Sequence, residues 1–302
     1  MSDLVAMKSP LISLLLPTRG RPALVDRLFK SISETTTHLD RVEVILYVDD
    51  DDTESHHLGS EDIHVVRIIG PALSMGGYNS ACLAKSQGDI IILVNDDMVI
   101  GTPGWDEKIA ELDANIPDKI YLAYGNDLFK KGNLCTFPII SRRTCELLVE
   151  PYPKEYQGAF IDFHLFDIFK RLQQAGFDRI HYMSDVVFEH LHHRTGKAPF
   201  DETYGKRGRF ADDPAFLGLI ESRRASAGRL LRDLRGDDQP SGHVPAIRST
   251  KLSYSSLFSA IVSFSKALLM DTELPLRWRT YLWVWFIGRY MAGRGLLRPF
   301  VH

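Results

Sequence analysis

Asn95-Asp96-Asp97 follow five consecutive apolar residues, Ile90 to Val94. A short apolar run rich in β-branched residues reads as a strand buried on both faces, and open α/β sheets bind ligands at the carboxyl ends of such strands. Two carboxylates and an amide at that edge suit a hard divalent cation held against a phosphorylated substrate. Mg²⁺ and Mn²⁺ prefer oxygen ligands and take only one or two from protein, leaving the rest to phosphate and water. The competing reading is a solvated acidic turn. A second acidic run, Asp49-Asp50-Asp51-Asp52, closes the apolar segment Val42–Val48 in the same way. Within it, Asp51 and Asp52, with Glu54 beyond, read as exposed turn residues. A calcium loop is excluded because no Gly stands at its sixth position.

The elements that carry these runs alternate. Leu11–Leu16 reads as a buried strand broken by Pro17-Thr18-Arg19-Gly20-Arg21-Pro22. Leu24 to Ser33 has helical apolar spacing at Leu24, Val25, Leu28, Phe29 and Ile32. Val42–Val48 and Ile63–Ile69 read as strands, Tyr78–Lys85 as a helix, and Ile90–Val94 as the next strand. Such alternation predicts an α/β, Rossmann-like fold with a mostly parallel central sheet flanked by helices, and it puts both acidic runs on one rim. Further on, Trp105–Leu112 and Asp162–Ala175 read as helices, the latter closed by Gly176. Ile120–Tyr124 reads as a strand, and Arg179–Tyr182 and Val186–Phe188 as two short β pieces. Asp162 opens its helix, where an N-cap carboxylate is the ordinary role. The cluster His190-Leu191-His192-His193 lacks the Cys or second spaced His pair of a zinc site.

Of 302 residues, 44% are hydrophobic, enough for one large core or a core with an appendage. Residues 222–302 hold 13 Lys/Arg against 5 Asp/Glu, so the remainder of the chain is acidic. That balance argues against nucleic-acid coating by the front part, while the basic tail suits an anionic surface. Cys82, Cys135 and Cys145 form no CxxC pair, and the start shows no signal peptide. Both point to the cytoplasm, with attachment to the inner face of the membrane as a possibility for the tail. Residues 1–233 are expected to form the catalytic domain, 234–250 a linker, and 251–302 a basic, aromatic-rich helical tail. Its apolar blocks, Leu257–Met270 and Tyr281–Met291, fall short of a membrane span.

Taken in order, Pro17-Thr-Arg-Gly-Arg-Pro22, Val48-Asp-Asp-Asp-Asp52, Asn79, Gly88-Asp89, Asn95-Asp-Asp97 and Trp105-Asp106-Glu107 resemble a GT-A glycosyltransferase of the family 2 type, in its small bacterial and phage-encoded branch. Glu189-His190-Leu191-His192 and Gly196-Lys197 resemble the segment that closes the catalytic part of those proteins. The likeness spans roughly residues 11–220. It implies a nucleoside-diphosphate sugar as donor and Mn²⁺ or Mg²⁺ as cofactor. The family's usual Asp-x-Asp has Asn95 in first place here, which leaves Asp97 as the metal ligand and removes the ordinary ribose contact. The resemblance further implies that Asp49 or Asp50 meets the nucleobase, with Pro17, Thr18, Arg19, Arg21, Asn79, Asn95 and Asp96 around the nucleotide. His190 and His192 are implied to touch the metal or diphosphate. Asp162 is implied as the acceptor base, with His164 and Asp167 as alternatives.

A departing nucleoside diphosphate carries charge that a cation, Arg or Lys must stabilise, which explains this collection of groups. The acceptor is expected to be a surface polysaccharide or lipid-linked glycan, with the tail at a membrane interface. DNA bearing a hydroxymethylated base is the rival acceptor. A sugar-1-phosphate nucleotidyltransferase would need a longer Gly-rich loop containing Lys. A non-catalytic scaffold on the same fold would not need acidic groups at both strand ends.

Overall fold

The computed structural model describes residues 11–148, 150–191, 208, 210–237 and 254–296. Strand β1 (Ile12–Thr18) pairs in parallel with β2 (Val42–Asp49), and β2 with β3 (His64–Gly70). On its other side β1 pairs in parallel with β4 (Ile90–Leu93). Past β4 the directions mix. β5 (Met98–Ile100) is antiparallel to β8 (Ile180–His190), β8 is parallel to β6 (Leu122–Asn126), and β7 (Ile139–Ser141) runs antiparallel to both β6 and β4. The resulting eight-stranded order is β3-β2-β1-β4-β7-β6-β8-β5.

Alternation along each strand builds a core on either face. Ile12, Leu14 and Leu16 pack with Val25, Leu28, Phe29 and Ile32 of α1 (Pro22–Thr35). Leu15 turns the other way, into a core with Cys82 of α2 (Met75–Lys85). The first face also takes Trp105 and Ile109 of α3 (Trp105–Ala114), and the second takes Cys145 of α4 (Arg142–Leu148) and Phe166, Phe169 and Leu172 of α5 (Ile161–Gln174). Burial on both faces is why the central strands read as unbroken apolar runs.

One expectation changes. Arg179–Tyr182 and Val186–Phe188 are not separate pieces: they belong to one strand, β8, whose register against β6 shifts between Gly125 and Asn126. Asn126 pairs with Val187 while Gly125 pairs with Met183, so a local bulge accounts for the break in pattern. The charged stretch past residue 212 forms two helices, α6 (Asp213–Gly218) and α7 (Ile220–Arg235), the latter closed by Gly236 at φ 70°.

The tail joins the second core. α8 (Leu257–Phe264) continues into a π-helical turn (Ser265–Leu269), and α9 (Leu276–Gly293) follows. Trp278, Leu282 and Phe286, four residues apart, form one buried stripe of α9 packed in the core that holds α5. Such side chains contribute about 2 kcal/mol apiece. A buried ionic network fixes the same contact. Asp167 accepts from Arg223 Nε at 2.7 Å and from Trp278 Nε1 at 2.9 Å, and Arg171 Nη2 reaches Asp271 at 2.7 Å. Among the described residues, no helix is long and apolar enough to cross a membrane.

Candidate active site

Because β1, β2 and β4 are parallel neighbours, the segments that leave their carboxyl ends emerge side by side. After β1 the chain turns at Gly20, whose φ of 64° favours a residue without a Cβ. The turn lets Arg19 and Arg21 reach different partners. Arg19 Nη1 lies 2.5 Å from Asp49 Oδ2, and its guanidinium also forks onto Asp51 at 2.5 and 2.7 Å. Gly20 N donates to Asp52 Oδ2 at 2.6 Å, which ties the first loop to the second. Arg21 Nη1 donates to Asp96 Oδ1 at 2.9 Å, and Thr18 Oγ1 to Asp96 Oδ2 at 3.0 Å. Pro17 is buried within β1, opposite Tyr47.

The adjacent acidic residues play different parts. Asp49 is fully buried, and Tyr78 Oη donates to its Oδ1 at 2.6 Å. Asp50 is exposed, and its backbone N–H continues the ladder by donating to Gly70 O. Burial, then the hydrogen bond to Asp49, pushes the Tyr78 phenol well above its ordinary range. Tyr47 packs edge-on to Tyr78 with ring centroids 5.0 Å apart. Tyr78 did not emerge from the sequence as a site residue. Its only signal is its place in the first turns of α2, the helix that Ser74 caps after β3. Asn79, one residue on, is buried and donates from Nδ2 to Met75 O of its own helix.

Asn95 is half-buried, and its carbonyl accepts from Met98 N in the turn. Burial raises the pKa of Asp96, with the charge of Arg21 opposing it. Asp97 is also buried, and its Oδ2 lies 3.3 Å from His190 Nε2. Leu191 N donates to Asp97 O and His190 N to Asp127 O, so the end of β8 is fastened to this rim. His192 lies outside the described residues, as do His193, Gly196 and Lys197.

Asp162 stands in the first turn of α5, behind Phe160 at φ 72°. Its Oδ1 accepts from Phe163 N at 2.8 Å. Burial pushes its carboxyl up to about 6, while the Phe163 hydrogen bond and the charge of His190 pull the other way. His190 therefore acts electrostatically on both Asp97 and Asp162. The alternatives occupy the interior. His164 is fully buried, its Nδ1 2.9 Å from Tyr156 Oη, and burial drives its pKa well below the ordinary value. Asp167 is sealed in the ionic network, where the charges of Arg223 and Arg171 overcome the effect of burial and keep it ionised.

Among the described residues, no group of three or more His, Cys, Asp or Glu is arranged to hold a metal. Asp97 and His190, 3.3 Å apart, could supply two ligands. That fits Mn²⁺ or Mg²⁺ when the remaining positions go to a substrate diphosphate and water.

No protein-family model matches the chain, and no curated protein matches it. Its fold is similar to solved structures of S. aureus TarS 1–349. In complex with UDP-GlcNAc that protein superposes with a TM-score of 0.51 at 12% identity, over 94% of this chain and 92% of the other. Another structure of the same fragment gives 0.50 at 13%, over 97% and 92%. A mannosyltransferase from Pyrobaculum calidifontis, in complex with GDP-Man and Mn²⁺, lies further off, with a TM-score of 0.47 at 13% identity, over 94% of this chain and 87% of the other. The chain has a mixed α/β fold, an eight-stranded sheet flanked by helices, that is similar to the fold of these structures. At these identities the likeness is one of fold, and activity has to be argued from the site.

Proposed function

We propose that this chain is a family 2-type GT-A glycosyltransferase that moves a sugar from a nucleoside-diphosphate sugar to an acceptor hydroxyl. The observation that carries this reading is the convergence of Arg19, Asp49 and Tyr78 with Thr18, Arg21, Asp96 and Asp97 at the carboxyl ends of three parallel strands. A similar fold that binds UDP-GlcNAc supports the donor class.

In this reading Asp49, positioned by Tyr78, accepts from the nucleobase edge. Arg21 and Thr18 hold the Asp96 carboxylate, so the turn presents Asp97 to the diphosphate. Asp97 and His190 would hold the divalent cation, which supplies Lewis-acid stabilisation of the leaving phosphate. Asp162 takes the proton of the acceptor hydroxyl, since a carboxylate raised to about 6 is ionised at neutral pH yet more basic than a free one. The acceptor is a surface polysaccharide or lipid-linked glycan, and residues 254–296 form the side of the enzyme that meets it.

A panel of nucleotide sugars with Mn²⁺ or Mg²⁺ tests the proposal by thermal stabilisation and by donor hydrolysis. A ligand at about 100 times its Kd adds roughly 2.7 kcal/mol to stability. No stabilisation and no hydrolysis with any donor would overturn it.

A further inference from the structure

A stack of rings leads from the candidate base to the surface. Phe163, the residue after Asp162, stacks on Trp285 with centroids 4.7 Å apart and planes 7° from parallel. Trp285 in turn stacks on Tyr281 at 6.1 Å and 14°. Tyr281 and Trp285 line an open groove of about 610 Å³ along α9, with Leu276, Arg277, Thr280 and Val284. Leu276 is 65% exposed and Val284 57%, large apolar groups that the fold leaves in water beside a site that must admit an acceptor.

Resting on the transferase reading above, we propose that this groove is the lipid end of the acceptor subsite and takes the hydrocarbon chain of the lipid phosphate that carries a lipid-linked glycan acceptor. The lining favours hydrocarbon over a sugar chain. Leu276 and Val284 offer carbon, and the Thr280 hydroxyl is already spent on Leu276 O at 2.9 Å. A glycan would demand several hydrogen-bonding partners in the same space. Arg277, exposed at the groove edge, makes no ion pair among the described residues and supplies the cation for a phosphate headgroup. The excess of 13 Lys/Arg over 5 Asp/Glu in residues 222–302 favours the same charge. The ring stack then sets the depth at which the acceptor hydroxyl meets Asp162.

The test uses the full chain and farnesyl phosphate below its aggregation concentration, with calorimetry as readout. Saturable binding is expected, weakened about tenfold or more in Val284→Asp, because burying one such side chain is worth about 1.5 kcal/mol or more. Phe258→Ser, which removes a 78% exposed ring on α8 outside the groove, should bind like wild type. Melting curves check that both variants are folded. Equal binding by wild type and Val284→Asp overturns the proposal, as does equal weakening in Phe258→Ser. Adhesion only to phosphatidylglycerol vesicles also overturns it. Nucleotide-sugar binding is measured in the same samples. Wild type that binds donor but not farnesyl phosphate removes this subsite alone, whereas failure to bind any donor removes the transferase reading.

Discussion

His190 Nε2 stands 3.3 Å from Asp97 Oδ2, and strand pairing puts it there. β8 runs antiparallel to β5 with His190 opposite Met98, so the imidazole arrives beside the residue that precedes the strand. The hydrogen bond from Leu191 N to Asp97 O extends the same pairing by one step. A carboxylate at the end of a parallel strand thus acquires a nitrogen partner from a segment more than ninety residues away in the chain.

If these two residues hold the cation, Asp97→Ala should abolish metal-dependent turnover of nucleotide sugar. His190→Ala should weaken it by one or two orders of magnitude, in the range seen when groups that tune a metal site are lost. Manganese titration of turnover gives the comparison. Asp97→Ala with the wild-type manganese response would remove Asp97 from the metal site. Asp96→Ala should act through the loop instead, since Arg21 and Thr18 lose the carboxylate that ties them to it.

The neighbouring aspartates separate as cleanly. Asp49 is buried between Arg19 and Tyr78, whereas Asp50 points to solvent. Asp49→Ala should therefore weaken nucleoside diphosphate binding at least tenfold, even without metal, while Asp50→Ala leaves it within about twofold. A charge-assisted hydrogen bond is worth about 1.5–3 kcal/mol, which sets that scale. Tyr78→Phe should fall between them, because it frees Asp49 Oδ1 without removing the carboxylate. Calorimetry with free nucleoside diphosphate decides the order; similar losses in the Asp49 and Asp50 variants would refute it.

Much of this rim was legible in the sequence, for a physical reason. β1, β2 and β4 are buried on both faces, so their apolar runs are continuous and the polar residues after them mark the ligand edge. β5 and β7, three residues each, are too short to show a period. α7 was missed because its buried side includes Arg223, neutralised by Asp167 on another helix. The pairing that delivers His190 depends on strand order, and Tyr78 carries no motif of its own. Single-sequence reading also left three carboxyl or imidazole candidates near the start of α5, and only the fold shows that His164 is taken up by Tyr156 and Asp167 by Arg171 and Arg223, whereas Asp162 makes no ion pair among the described residues.

Asp162 makes two pH predictions. If it is the acceptor base it must be ionised, so transfer should fall as pH drops through about 6 while donor binding changes less. Its effect on stability has the opposite sense. A carboxyl whose folded pKa exceeds its unfolded value binds more protons when folded, so its contribution declines as pH rises from about 4 to about 6 and is level above that. Asp162→Asn should therefore melt higher than wild type at pH 8, with the difference shrinking toward pH 4. A variant that loses transfer and also melts lower at pH 8 would point to an N-cap role instead.

The last prediction concerns what holds the tail on the rest of the chain. Arg171 is almost completely buried, and it pairs with Asp271 at 2.7 Å and with Glu273 at 2.9 Å. Asp271 is buried as well, whereas Glu273 is more than half exposed. Removing Asp271 strands a buried guanidinium short of one partner, at a cost of about 3–5 kcal/mol, whereas an exposed partner such as Glu273 is worth about 1 kcal/mol or less. Asp271→Ala should thus lower the melting temperature by on the order of 5–10 °C, and Glu273→Ala by no more than about 2 °C. Trp278 Nε1 donates to Asp167 in the same network, so loosening it should also shift α9 and reduce transfer more than donor binding. Truncation after Asp237 removes Asp271, Glu273, Trp278, Leu282 and Phe286 together and should abolish cooperative melting. A truncated chain that melts cooperatively at the wild-type temperature would show that the remainder of the chain does not need this packing.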